Sequence, residues 1–110
     1  MYAHTTPPPP IDVVKTATLR LAPLLIRQGL NITISREGTV EVRNPRDSRM
    51  RQFLVLREHQ GALVWHWVWS GPSRDAPPEL EPMVAADDVE EAARRIITVL
   101  SIVEPTGAEQ

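Results

Sequence analysis

No cysteine occurs among the 110 residues of this chain. Its absence excludes disulfides, thiolate metal sites and a cysteine nucleophile, and it fits a reducing compartment. Aromatic residues are scarce apart from tryptophan: there is one Phe and one Tyr, so Trp65, Trp67 and Trp69 supply most of the aromatic surface. Lysine occurs once, against eleven arginines, a bias that fits a GC-rich coding sequence and carries no mechanism. Neither sign of charge dominates, since the net charge is −2, so there is no global attraction to nucleic acid or to an anionic membrane. Long apolar runs are also missing. The stretch from Leu19 to Ile26 is interrupted by Arg20 and Pro23, and Met1 to Pro10 lacks the basic-then-apolar order of a signal peptide. A cytoplasmic location without membrane association is expected.

What is present suits one globular domain. A hydrophobic content of 42% with 24% charged residues lies far from the disordered regime, and the length leaves no room for a second core. Eleven prolines must then be segregated from the regular structure. Pro7 to Pro10 favour an extended, unbonded backbone, so residues 1–10 are expected to form a disordered arm, 11–103 a single α+β domain and 104–110 a frayed tail.

Apolar residues at helical spacing, Val14, Ala17, Leu21, Leu24 and Leu25, follow Asp12 as a capping residue and stop at Gly29. Pro23 is expected to kink this helix or delay its start. Leu30 to Ser35 alternates with period two, as does Thr39 to Arg43. Placing Ile34 opposite Val40 and Ile32 opposite Val42 keeps all four on one face, which requires a three-residue loop with Gly38 in the left-handed position. A second hairpin turns at Gln60-Gly61, with Leu56 opposite Trp65, Leu54 opposite Trp67, Val55 opposite His66 and Arg57 opposite Val64. The segment from Ser70 to Ala86, with prolines at 72, 77, 78 and 82, is expected to cross without regular structure. Asp87 with Glu90 resembles a capping box and opens a second helix to about Val103, with Glu90–Arg94 and Glu91–Arg95 pairs on its wet side.

The expected fold is therefore α+β: a four-stranded antiparallel meander with an N-terminal and a C-terminal helix packed on one face, in the order α-β-β-β-β-α. The buried face takes Ile32, Ile34, Val40, Val42, Leu54, Leu56, Leu63 and the tryptophans. The order helix, meander, helix is also that of double-stranded-RNA-binding domains. That family opens its second helix with phosphate-gripping lysines, whereas this chain has Asp87-Asp88-Val89-Glu90-Glu91. The likeness implies nothing for function, and no family is recognised.

The opposite sheet face mixes apolar and charged groups, and Arg43, Phe53, Val55, Arg57, Val64, His66 and Val68 are the expected interaction face. Its user would be a protein partner or a second copy of the chain. Arg46, Arg49 and Arg51, offset by Asp47, form a local positive excess that could contact phosphates. This makes nucleic-acid binding the alternative. A third class is a small-ligand site between the sheet and the segment from Pro72 to Pro82, with Trp69 at its rim. His66 has no serine, aspartate or second histidine at a spacing that builds a triad. The carboxylates at 87–91 are accounted for by helix capping. No catalytic residue, metal site or cofactor is expected.

Overall fold

The computed structural model describes residues 8–47, 49–69 and 76–101. The tail at 104–110, and the expected arm except for Pro8 to Pro10, lie outside the described residues. Helix α1 spans Ile11–Arg27, strands β1 to β5 span Asn31–Ile34, Val40–Arg43, Arg51–His59, Ala62–Trp69 and Glu79–Ala85, and helix α2 spans Val89–Leu100. The strands form one open antiparallel sheet in the order β1-β2-β3-β4-β5. Both helices lie on one face of it.

The two expected hairpins form in the expected registers. Ile34 faces Val40 and Ile32 faces Val42, while Leu56 faces Trp65 and Val55 faces His66. Gly38 adopts φ +87° at the third loop position. Gln60 (φ +53°) and Gly61 (φ +85°) form the two-residue turn between β3 and β4, and its double left-handed conformation matches the right-handed strand twist.

The meander has five strands, not four. Residues 79–85, expected to lack regular structure, pair with β4 from Trp69↔Glu79 to Val64↔Ala85. Proline is compatible with a strand only where its missing N–H would point to solvent or at an irregularity. β5 offers both, because it is the outer strand and its register slips between Trp65 and His66, which face Val84 and Pro82 and leave Met83 as the extra residue.

Helix α1 runs unbroken through Pro23. Val14, Thr18, Leu21 and Leu25 form its buried stripe, and Pro23 sits on the opposite, exposed side. There the carbonyl of Leu19, deprived of its usual donor, opens toward water rather than into the core. Asp12 lies in the first turn, and Pro10 occupies the capping position. In α2 the cap is Asp88 rather than Asp87, its carboxylate accepting from the Glu91 N–H at 3.4 Å. The expected Glu90–Arg94 pair is replaced by a fork in which Glu91 accepts from both Arg94 and Arg95. The helix stops at Leu100, because Ser101 is extended (ψ 139°). Val103 lies outside the described residues.

The core between helices and sheet gathers Leu21, Leu25, Leu54, Leu56, Trp65 and Ile96, all essentially inaccessible. Full burial of each such side chain contributes about 1.5–3 kcal/mol, so this layer holds the helices to the sheet. Trp65 and Trp67 belong to it, as the pairing predicts. Trp69 does not: it is 37% exposed, stacks on Trp67 at 5.8 Å and donates from Nε1 to Glu81 at 2.7 Å. Leu63, expected in the core, is also partly exposed. Among the described residues no helix is long and apolar enough to cross a membrane.

Candidate functional site

The face turned away from the helices is organised in rows that run across the strands. Thr33, Glu41, Phe53, Val68 and Leu80 face one another in succession from β1 to β5. The next row toward the β2–β3 loop holds Asn31, Arg43 and Arg51. On the other side lie Val55, His66 and Pro82, followed by Arg57, Val64 and Ala85.

These rows differ in accessibility. Val55 and His66 are only 5% exposed, and Val64 is likewise buried, although no described helix covers this face. Three of the seven residues expected to form the interaction surface are thus closed in by their neighbours. Side chains on central strands are flanked on both sides and shielded by long residues of adjacent rows, here Arg57 and His59. The exposed apolar groups lie one row further on: Phe53 at 36%, Leu80 at 42%, and half-buried Val68 between them. Leu80 and Pro82 were not foreseen because their strand was not.

His66 is held in one orientation. Its Nδ1 lies 2.9 Å from the Val64 carbonyl oxygen, which can only accept, so Nδ1 carries the proton in the neutral ring. The His59 ring stands edge-on at 6.0 Å. Burial pushes the His66 pKa below its ordinary 6.5; the bond to Val64 works against this, and the charges of His59 and Arg57 add to the depression. Arg57 donates to the Leu56 carbonyl oxygen at 2.9 Å, and burial lowers its pKa as well.

Positive charge gathers at the opposite end. Arg43 and Arg51 are direct cross-strand partners, a like-charge pairing that costs stability unless relieved. Glu41 relieves it in part at 3.7 Å from Arg51. The Arg51 guanidinium also sits 5.9 Å from the centre of the Phe53 ring, within cation–π range. In the loop, Arg49 donates to both carboxylate oxygens of Asp47, at 3.1 and 3.2 Å. This grip lowers the Asp47 pKa and raises that of Arg49. Arg46 is exposed, its backbone N–H donating to the Asn44 side chain. Of the three arginines considered for phosphate contact, Arg49 and Arg51 therefore each have an acidic neighbour.

Among the described residues no three His, Asp or Glu side chains come together as a metal-binding group. A groove of about 550 Å³ lies away from the open face, between α1 and the β3–β4 turn end of the sheet, with Val13, Ala17, Leu63 and Ala86 on its walls and Asp12, Arg20 and Asp87 at its mouth. Of the segment from Pro72 to Pro82, expected to close a ligand site beside Trp69, residues 72–75 lie outside the described residues, and 79–82 belong to β5, where they are paired with β4.

Fold and surface together define an α+β protein with a two-helix layer on a five-stranded antiparallel meander. The chain matches no family model, no curated protein and no solved structure.

Proposed function

We propose that this chain is a non-enzymatic interaction module that docks a protein partner on the open face of its sheet. The supporting observation is the row Phe53, Val68 and Leu80, three apolar side chains in register on three adjacent strands with Arg43 and Arg51 beside them. An apolar strip framed by charge is the anatomy of a protein contact, in which the apolar part is desolvated and the charged rim sets orientation. The paired arginines favour a partner that brings a carboxylate next to an apolar residue, because such a group relieves the repulsion between them.

Nucleic-acid binding through the Arg46 to Arg51 loop has less support, since Asp47 and Glu41 already offset Arg49 and Arg51. A salt titration separates the two, because phosphate contacts would make the affinity fall steeply with ionic strength.

The test compares partner capture by the wild-type chain with capture by Val68→Asp and Phe53→Asp. Both sites are accessible, so both variants should fold. A protein recovered with wild type and lost with both variants supports the docking face. Equal recovery by all three refutes it.

A further inference from the structure

The sheet has two edges, and they are built differently. β5 carries Pro82, the carboxylates Glu79 and Glu81, and the extra residue Met83, whose carbonyl is already occupied by the Arg95 guanidinium at 3.0 Å. Proline, charge and bulges are the devices that keep an edge from pairing with another chain. β1, with the sequence Asn31-Ile32-Thr33-Ile34, has no proline, no charge and no bulge.

The backbone of β1 is aimed for pairing. The Ser35 N–H donates to the Thr39 carbonyl at 2.8 Å where the first hairpin closes. Bonds of an antiparallel ladder involve alternate residues, so Thr33 and Asn31 bond toward β2. The N–H and C=O groups of Ile32 and Ile34 then point outward along the open edge.

Helix α1 packs beside β1 and exposes two large apolar side chains, Leu19 and Ile26. Val13 and Ala17 of α1 line the groove with Leu63, and Leu24 faces Ala93 and Ile97 of α2. With about 100° between successive helical residues, Leu19 and Ile26 fall on the other side of α1, away from α2, together with the exposed Lys15. They are 71% and 58% exposed, the highest values among the large apolar side chains described.

We propose that this edge is a homodimer interface, in which a second copy of the chain pairs its β1 antiparallel to the first about a twofold axis at Thr33. The occupant follows from symmetry. Ile32-Thr33-Ile34 reads the same in both directions, so the axis sets Ile32 of one copy opposite Ile34 of the other, and these are the residues whose backbone groups point outward. Each such pair exchanges both of its N–H···O bonds. Thr33 meets its own counterpart on the uncovered face, a favourable cross-strand pair. A twofold contact sets like against like, so a charged edge would repel its own copy; β1 has no charge to do so. On the helix side the same axis sets the second copy's α1 antiparallel to the first, along the flank that carries Leu19 and Ile26. Four-residue strands with one helix flank make a contact near the small end of stable interfaces, and the expected dissociation constant is therefore in the micromolar range.

Sedimentation equilibrium of the full chain over a micromolar concentration series tests the interface. Wild type should pass from monomer to dimer. Thr33→Lys and Thr33→Glu, each at an exposed position, should be monomeric alone, and an equimolar mixture of T33K with T33E should dimerise again because opposite charges then meet at the axis. Leu19→Glu should also be monomeric with an unchanged circular dichroism spectrum, and it decides the matter if either Thr33 variant folds poorly. Val68→Asp, on the partner-docking face, should leave the dimer intact. A wild-type chain that stays monomeric throughout, a dimer that survives Leu19→Glu, or a dimer abolished by Val68→Asp would each overturn the proposal. Failure of the partner-docking function would appear separately, as unchanged capture by the Val68→Asp variant.

Discussion

The side-chain amide of Asn44 donates to the carbonyl oxygen of Leu100 at 2.8 Å, joining the end of β2 to the last turn of α2 across 56 positions of sequence. Asn44 is buried, and its Oδ1 accepts from the Arg46 N–H. One side chain thus closes a helix C-terminus and shapes the arginine loop. Asn44→Ala should destabilise the fold by about 1–3 kcal/mol, the usual cost of leaving a buried polar group unpaired. Asn44→Asp should cost at least as much, because it keeps the acceptor for Arg46 but sets a negative charge against the negative end of the helix. Urea unfolding of both variants would measure this; two midpoints equal to wild type would show that the contact contributes nothing.

His66 should make stability depend on pH. Its folded pKa is depressed below 6.5, so the unfolded chain binds the proton more readily. Stability is therefore complete above 6.5 and declines as the pH falls from there through the lower folded value, after which this contribution is flat. His66→Gln, which retains a donor for the Val64 carbonyl, should remove that part of the slope. Thermal melts between pH 7.5 and 5 would show it, and a variant whose slope matches wild type would assign the effect elsewhere.

Glu91 should titrate well below other carboxylates. Hydrogen bonds from Arg94 and then Arg95 hold its pKa at about 2 against an ordinary 4.5. The stabilisation is present above 4.5 and fades as the pH falls toward 2. A carboxyl-detected NMR titration would locate the midpoint. Because the fork is at the surface, added salt should move that midpoint back up.

Gln60 adopts φ +53° in the β3–β4 turn, where a side chain such as asparagine is better tolerated. Gln60→Asn should stabilise the fold by about 0.5 kcal/mol, and Gly61→Ala, at φ +85°, should destabilise it by about 1 kcal/mol or more. Equilibrium unfolding would detect the opposite signs of the two changes.

How much of this surface could be read in advance depends on the strand considered. In β3 and β4 the expected facing pairs were right, so the residues that share the open face were identifiable. Their accessibility was not: Val55, Val64 and His66 have the same alternation as Val68, yet they are buried while Val68 is half open. Alternation reports which way a side chain points, and burial also depends on what stands in the neighbouring rows.

Local pattern alone determined the helices, the two hairpins and the register within each hairpin, while the pairing of β2 with β3 was left to the fold. Period-two alternation, turn glycines and the period of 3.6 are properties of adjacent residues, and each hairpin brings its own partner strand with it. The fifth strand was settled only in three dimensions. Pro82 excludes an interior strand, but it is harmless on an outer one with a bulge, and no sequence window reveals that β4 has a vacant side. The capping of Leu100 by Asn44 and the enclosure of His66 likewise join residues that nothing local connects. Tertiary structure also decided that, among the described residues, β1 is an outer strand, with the backbone groups of Ile32 and Ile34 turned away from β2.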